Sequence, residues 1–159
     1  SQSCGMALAA RLDKKNHRIY CITSDGEIEE GNYWEGVMLA AKYNLNNLTV
    51  IIDRNNIQID GNTEDIMPLE NLRAKFEAFN WHVLEVDGHN IPQFIAACDE
   101  AKAIYEKPTV IIAHTIPGKG VKEIERDFRW HGKPPTKEEA ARFLKELRSA
   151  AGRVPNEYA

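Results

Sequence analysis

The sequence has no long apolar run, no excess of positive charge and no cysteine pattern, and each absence removes a class of function. No stretch approaches the roughly 20 consecutive apolar residues that span a bilayer, so nothing reads as a membrane helix. A formal net charge of -4 leaves no broad basic surface of the kind nucleic acid requires. Cys4, Cys21 and Cys98 are odd in number, far apart and without CxxC spacing. They offer neither a disulfide framework nor a zinc site and fit buried thiols in a reducing, cytoplasmic compartment. A signal peptide and an initiator methionine are both missing, and residues 1–12 (SQSCGMALAARL) already have the composition of a helix interior. The 159 residues, 43% of them hydrophobic, suffice for one core and not for two. The expectation is one domain over residues 1–159, entered part-way along its fold.

Four short apolar runs rich in β-branched residues recur at 18–23, 48–53, 82–86 and 109–113. They are nearly continuous rather than alternating, as in parallel strands covered on both faces. Between them, residues 30–43, 69–79 and 91–106 have helical spacing. This alternation predicts a doubly wound α/β fold, a mainly parallel sheet with helices on both faces. Residues 136–149 add an amphipathic helix, opened by Thr136 with Glu139 three positions on as in a capping box, and with Phe143, Leu144 and Leu147 on one face. Residues 116–135 form the longest irregular stretch.

Ligands of open α/β sheets bind beyond the carboxyl ends of the strands. There the chain carries Ser24-Asp25-Gly26-Glu27, Asp53-Arg54-Asn55-Asn56-Ile57, Asp87-Gly88-His89 and His114 to Gly120. Asp25 and Asn55 are about 30 residues apart, one strand-helix-strand unit, so adjacent strands would bring both side chains to one point. A carboxylate, an amide oxygen and a backbone carbonyl are hard donors suited to Mg²⁺ or Ca²⁺, and Mg²⁺ completes its octahedron with phosphate and water. Gly26 permits close approach of a phosphate to backbone N–H groups. On spacing alone the alternative, that these are ordinary turn residues, stays open.

The longer strings narrow the choice. Residues 24–31 (SDGEIEEG), Trp34-Glu35, Asn47-Leu48 and residues 53–61 (DRNNIQIDG) resemble the transketolase motifs GDGE-x-x-EG, WEA, NL and D-x-N-x-x-x-x-DG. Asp87-Gly88-His89, Gly118-Lys119-Gly120 and residues 130–134 (WHGKP) fall where that family has matching signatures. The resemblance implies a six-stranded type of parallel-sheet domain that binds the diphosphate of thiamine diphosphate, and two-carbon ketol transfer between sugar phosphates. It implies Asp25, Asn55 and the Ile57 carbonyl as metal ligands, and Ser24, Gly26, Asn55 and His131 against the cofactor. It also implies that Glu30 and Glu35 lie in a dimer interface as a proton-sharing carboxylate network linking two active sites, where the residues alone suggest a solvated helix start. His131 is expected to donate to the diphosphate or shuttle protons to a sugar hydroxyl. His17, His82, His89 and His114 are expected to be structural.

Ser24 stands where the family has glycine, a change that is costly at positive φ and harmless in extended backbone. No phosphate-binding cation is assigned at Pro117, and Lys119 is left as a possible substitute. Gly5-Met6-Ala7 resembles the helix after the family's GQGL turn, so that turn and the histidines before it lie outside this sequence. So does the pyrimidine-binding domain whose glutamate activates the cofactor in this family. The expected protein is thus a transketolase-like N-terminal part, inactive by itself, that works in a homo- or hetero-oligomer with a pyrimidine-binding partner. A non-catalytic cofactor-binding module and the same half of a deoxyxylulose-phosphate synthase-like enzyme remain as alternatives. An exposed apolar face is expected wherever partners cover the domain.

Overall fold

A computed structural model describes residues 1–150. The order is α1 (Gln2–Leu12), β1 (Ile19–Ser24), α2 (Gly31–Lys42), β2 (Leu48–Arg54), β3 (Ile57–Gln58), β4 (Gly61–Asn62), α3 (Thr63–Ile66), α4 (Leu72–Ala78), β5 (His82–Asp87), α5 (Ile91–Ala103), β6 (Thr109–His114) and α6 (Lys137–Ala150). All four strands expected from the sequence are present, each running one residue further towards its carboxyl end. They form one parallel sheet in the order β1-β2-β6-β5. The six-stranded arrangement implied by family resemblance is not reached among the described residues: four strands form the sheet, and β3 and β4 pair separately as an antiparallel hairpin.

The strand order fixes which face each helix covers. The chain moves from β1 to β2 in one direction and from β5 to β6 in the other. With right-handed crossovers, opposite directions place the connecting helices on opposite faces. Accordingly Cys4 and Ala7 of α1, Val37 and Ala40 of α2, and Leu72 and Phe76 of α4 pack with Val50, Ile52, Val83, Val110 and Ile112 on one face. Ala97 and Ala101 of α5 pack with Val86, Ile111 and Ala113 on the other. Among the described residues that second face carries a single helix and is only partly covered. Tyr20 and Ile22 on edge strand β1 remain 43% and 72% exposed, and Ile91 and Ile95 of α5 are also exposed. The sequence pattern suggests that β1 is covered on both sides; its outer face is open in this chain.

Phe76 has no exposed surface and stacks edge-on or tilted against Tyr33, Trp34 and Trp81 at centroid distances of 6.3, 5.4 and 5.7 Å. The two indoles donate to the carbonyls of Ile28 and Val37, at 2.9 and 3.0 Å. Trp34 thereby ties the aromatic core to the turn after β1.

Helix boundaries follow local capping. α4 starts at Leu72, not Leu69, because the Asn71 Oδ1 accepts from the Ala74 amide at 3.0 Å and takes the N-cap position. α5 ends at Ala103, three residues earlier than expected, where Ile104 turns to extended backbone. The capping box at α6 forms as read, with Thr136 N–H donating to Glu139 at 2.8 Å and Glu139 N–H donating to Thr136 Oγ1 at 3.2 Å. Of its three apolar residues only Phe143 is buried; Leu144 and Leu147 are 52% and 41% exposed.

Phe76→Ala should cost about 3–5 kcal/mol of stability, as for other fully buried large-to-small aromatic changes. Urea unfolding followed by tryptophan fluorescence measures this, and a cost below about 1 kcal/mol would mean that the aromatic cluster does not hold α2 to α4.

Candidate functional site

The β1–β2 register ends with Ser24 opposite Asp53, so Asp25 and Arg54 leave the sheet side by side. Asp25 has no exposed surface. Its Oδ2 accepts three hydrogen bonds: from Arg54 Nη1 at 2.6 Å, the Asn56 amide at 2.7 Å and Thr63 Oγ1 at 2.8 Å. Its Oδ1 is buried and has no hydrogen-bond partner among the described residues. Burial pushes the Asp25 carboxyl above the usual aspartate range, against the opposing pull of Thr63, Arg54 and Asn56. Arg54, 2% exposed, also pairs with Glu64 at 2.6 Å and Glu70 at 3.0 Å. Burial disfavours its charge, but Asp25, Glu70 and Glu64 together outweigh this and raise its pKa. Removing either partner of such a buried pair typically costs about 3–5 kcal/mol.

Asn55 is oriented from both ends of its amide. Its Nδ2 donates to Asp53 Oδ2 at 3.1 Å, and its Oδ1 accepts from the Ile57 amide at 3.0 Å. The N and O assignment is therefore fixed by its neighbours, and Oδ1 retains a lone pair. Asp53 is itself held by the Thr115 hydroxyl, which places Asn55 at the junction of β2 and β6. Asn56 bends the chain into the β3–β4 hairpin at φ 64°, a left-handed conformation that asparagine tolerates better than most residues. That bend aims its N–H at Asp25.

The remaining residues named from sequence divide into two groups. Ser24 is the last residue of β1, where extended backbone makes the serine harmless. Its N–H and hydroxyl both donate to Glu27 Oε2, at 2.9 and 3.4 Å, so contact with a phosphate would require that hydroxyl to leave Glu27. Gly26 begins a short 3-10 turn, and a Cβ there would meet Gln58 Cβ at an ordinary 3.5 Å. The Ile57 side chain is buried at 6% exposure. Glu30, the N-cap of α2, and Glu35 within it are both exposed. Among the described residues nothing covers these two carboxylates, so the network that the resemblance places in a dimer interface is not formed within one copy.

His131 is exposed but lies on the rim of two adjoining clefts. One, of about 300 Å³, is lined by Ser24, Gly26, Glu27, Glu29, Asp60 and His131, among others. The other, of about 280 Å³, includes Asn55, Ile57, Pro117, Gly118, His131 and Lys133 in its lining. The second cleft sits between the ends of β2 and β6, where the chain's direction across the sheet reverses, the usual ligand position in such folds. The loop bearing His131 is pinned by a Trp130–Phe143 edge contact at 5.5 Å and by Lys133 over the Trp130 ring at 4.0 Å. Gly118, at φ +72°, is needed at the cleft wall because a Cβ would approach the Ile124 carbonyl oxygen to 2.8 Å.

The donor set suits a cation and a bound anion together. Among the described residues no three His, Cys, Asp or Glu side chains form a metal cluster by themselves, so a hard cation here would have to draw on other oxygens as well, from amides, backbone carbonyls, water or its ligand. Conversely, the first cleft is acidic: Glu27, Glu29 and Asp60 line it, and the Glu29 Oε1 is buried without a partner among the described residues. Burial, reinforced by Asp25, Asp60 and Glu30, pushes the Glu29 pKa up. A bare diphosphate would be repelled by these carboxylates; a hard divalent cation bound with it would offset that repulsion.

The sequence pattern of the family described as "Transketolase, thiamine diphosphate binding domain" matches residues 7–158. The chain belongs to the transketolase family. It is 40% identical over 147 residues to one of the subunits of the apulose-4-phosphate transketolase of Phocaeicola vulgatus, covering 92% of this chain and 52% of that protein. It is 42% identical over 138 residues to a 6-deoxy-6-sulfo-D-fructose transketolase subunit of a Clostridium species, covering 87% of this chain and 50% of that one. Human transketolase is 38% identical over 92% of this chain and 23% of its own length. Among solved structures, Campylobacter jejuni transketolase superposes with a TM-score of 0.85 at 34% identity, over 94% of this chain and 24% of that one. The chain thus spans about half the length of the two subunit relatives it matches. Among the described residues no helix is long and apolar enough to cross a membrane.

Two residues of this transketolase domain gain a role that motif resemblance does not give them. Asp53 belongs to the D-x-N string yet acts here by orienting Asn55, and Arg54 has no motif signal beyond being a charge at the end of an apolar strand. His89 is structural as expected, with Nε2 accepting from the Ile116 amide at 2.8 Å to fix the start of the His131 loop. Burial, then Lys119, holds its pKa below the usual histidine range. A depressed folded pKa means that the contact's contribution, about 1 kcal/mol, is present above the unfolded value near ~6.5 and is lost as pH falls through the folded one. His89→Ala should therefore lower the melting temperature more at pH 7.5 than at pH 5; an equal or larger loss at pH 5 would contradict the neutral-acceptor role.

Proposed function

We propose that this chain is one diphosphate-binding domain, the N-terminal part of a transketolase. It would hold thiamine diphosphate through Mg²⁺ or Ca²⁺ and act in two-carbon ketol transfer between sugar phosphates. The observation that carries the reading is the Asp25 Oδ1, a buried carboxylate oxygen without a partner among the described residues, in a carboxylate bonded to the Asn56 N–H, directly after Asn55, whose amide oxygen is fixed by Asp53 and the Ile57 N–H. Asp25 Oδ1, Asn55 Oδ1 and the Ile57 carbonyl would be the protein ligands of the cation, with diphosphate oxygens completing its shell.

The cofactor, when bound, supplies the carbanion chemistry; the chain's own residues bind, orient and handle protons. Gly26 lets the diphosphate approach the backbone. His131, shared by the two clefts, donates to a diphosphate oxygen or exchanges a proton with a sugar hydroxyl, tasks suited to an imidazole. Glu30 caps α2 and Glu35 lies within it, and Met38 and Leu39 of the same helix and Tyr43 at its C-cap are also exposed. That surface is consistent with burial against a second copy or a partner chain, where the carboxylates could share protons. Two relatives of similar coverage bear names of transketolase subunits, which supports a pyrimidine-binding partner supplied in a homo- or hetero-oligomer.

Melting with thiamine diphosphate plus Mg²⁺ tests the binding step. Ligand at about one hundred times Kd should add about 2.7 kcal/mol, several degrees of Tm. Asp25→Asn, which keeps the shape and an acceptor, and Asn55→Ala should each abolish the shift. No shift for the unaltered protein, or a full shift in both variants, would defeat the proposed metal site. Ketol transfer would then be measured with a pyrimidine-domain partner added, where activity that survives Asp25→Asn would count equally against it.

A further inference from the structure

We propose that Arg54 is a positioning residue for the cation: it clamps Asp25 through Oδ2, leaving Oδ1 as the single oxygen offered to the metal. The inference rests on the metal-diphosphate reading and adds a residue to it. An arginine beside a cation ligand would ordinarily weaken cation binding by repulsion. Here the guanidinium is turned to prevent that. Nη1 donates to Asp25 at 2.6 Å, while Nε and Nη2 point at carboxylates, donating to Glu70 Oε1 at 3.2 and 3.0 Å and, from Nη2, to Glu64 Oε1 at 2.6 Å. One positive charge is shared with two carboxylates besides Asp25, so the trio of Arg54, Glu64 and Glu70 carries net negative charge. The two glutamates are held in turn by the Leu69 and Leu72 amides, at 3.2 and 3.1 Å.

The planar fork matters as much as the charge. Arginine can engage Asp25 on one edge and both glutamates on the other; lysine, a single compact donor group, cannot span the three. With Arg54, Asn56 and Thr63 all donating to Oδ2, the Asp25 carboxylate has one rotation in which every donor is satisfied. That rotation leaves Oδ1 unpartnered among the described residues.

The test titrates Mg²⁺ at saturating thiamine diphosphate by calorimetry for the unaltered protein, Arg54→Lys, Arg54→Met and the Glu64→Gln/Glu70→Gln double variant, with ligand-free melts in parallel. Arg54→Lys and Arg54→Met should raise the Mg²⁺ Kd about 10–100-fold, the usual loss when a residue supporting a metal ligand is removed. The double variant keeps the clamp but uncovers the guanidinium charge and should also weaken Mg²⁺. A purely structural arginine would lower the ligand-free melting temperature and leave the Mg²⁺ Kd of the folded protein unchanged. Wild-type affinity in Arg54→Lys, or tighter binding in Arg54→Met as simple loss of repulsion would give, overturns the inference while the metal site stands. If Arg54→Met does not fold, Arg54→Lys and the double variant decide. No Mg²⁺-dependent binding by the unaltered protein would overturn the metal-site reading and this inference with it.

Discussion

A carboxylate with no exposed surface has to be compensated, and the structure around Asp25 follows from how this is done. One oxygen takes three donors, from a buried arginine, a backbone amide and a hydroxyl; the other takes none among the described residues. The three donors come from the end of β2, the bend after it and the first residue of α3, so a single side chain gathers the turn after β1 and the segment after β2. The pairing costs desolvation on both sides. Such an arrangement is expected where specificity of geometry matters more than stability.

The rest of the fold supplies the frame. Parallel register puts Asp25 beside Arg54 and, through Arg54 opposite His114, puts Thr115 where it can hold Asp53 and thereby Asn55. The reversal of chain direction between β2 and β6 leaves a cleft between them, and the pinned loop after β6 brings His131 to its rim. Aromatic packing of Trp34 and Phe76 fixes α2, while the Trp34 indole anchors the turn containing Asp25 to the same core. Site geometry and core packing are therefore linked through that indole.

Much of this is legible in the sequence. Four β-branched runs ending in polar turns, three of them with glycine, mark the strands and the edge where ligands bind, and the SDGE and DRNN strings mark Asp25 and Asn55. What is not legible depends on long-range contact. Arg54 matters because β1 and β2 are in register and because Glu64 and Glu70 come back to meet it, and no local pattern announces that. The two-residue strands of the β3–β4 hairpin are too short for periodicity to signal. Leu69 and Glu70 have helical composition but are drawn out of α4, where Asn71 competes successfully for the cap. Ile22 reads as a buried strand residue, yet in this chain it is on an edge strand whose second face no described helix covers. Family resemblance implies a buried network at Glu30 and Glu35, and among the described residues both are exposed.

Locating a bound cation tests the proposed metal site most directly. Crystals grown with Mn²⁺ and thiamine diphosphate, with data collected at the manganese absorption edge, would locate it directly by anomalous scattering. The expected result is one peak within bonding distance of Asp25 Oδ1, Asn55 Oδ1 and the Ile57 carbonyl, with Arg54 still bound to Asp25 Oδ2. A peak held instead by Glu27, Glu29 and Asp60, with Asp25 Oδ1 still without a ligand, would contradict it.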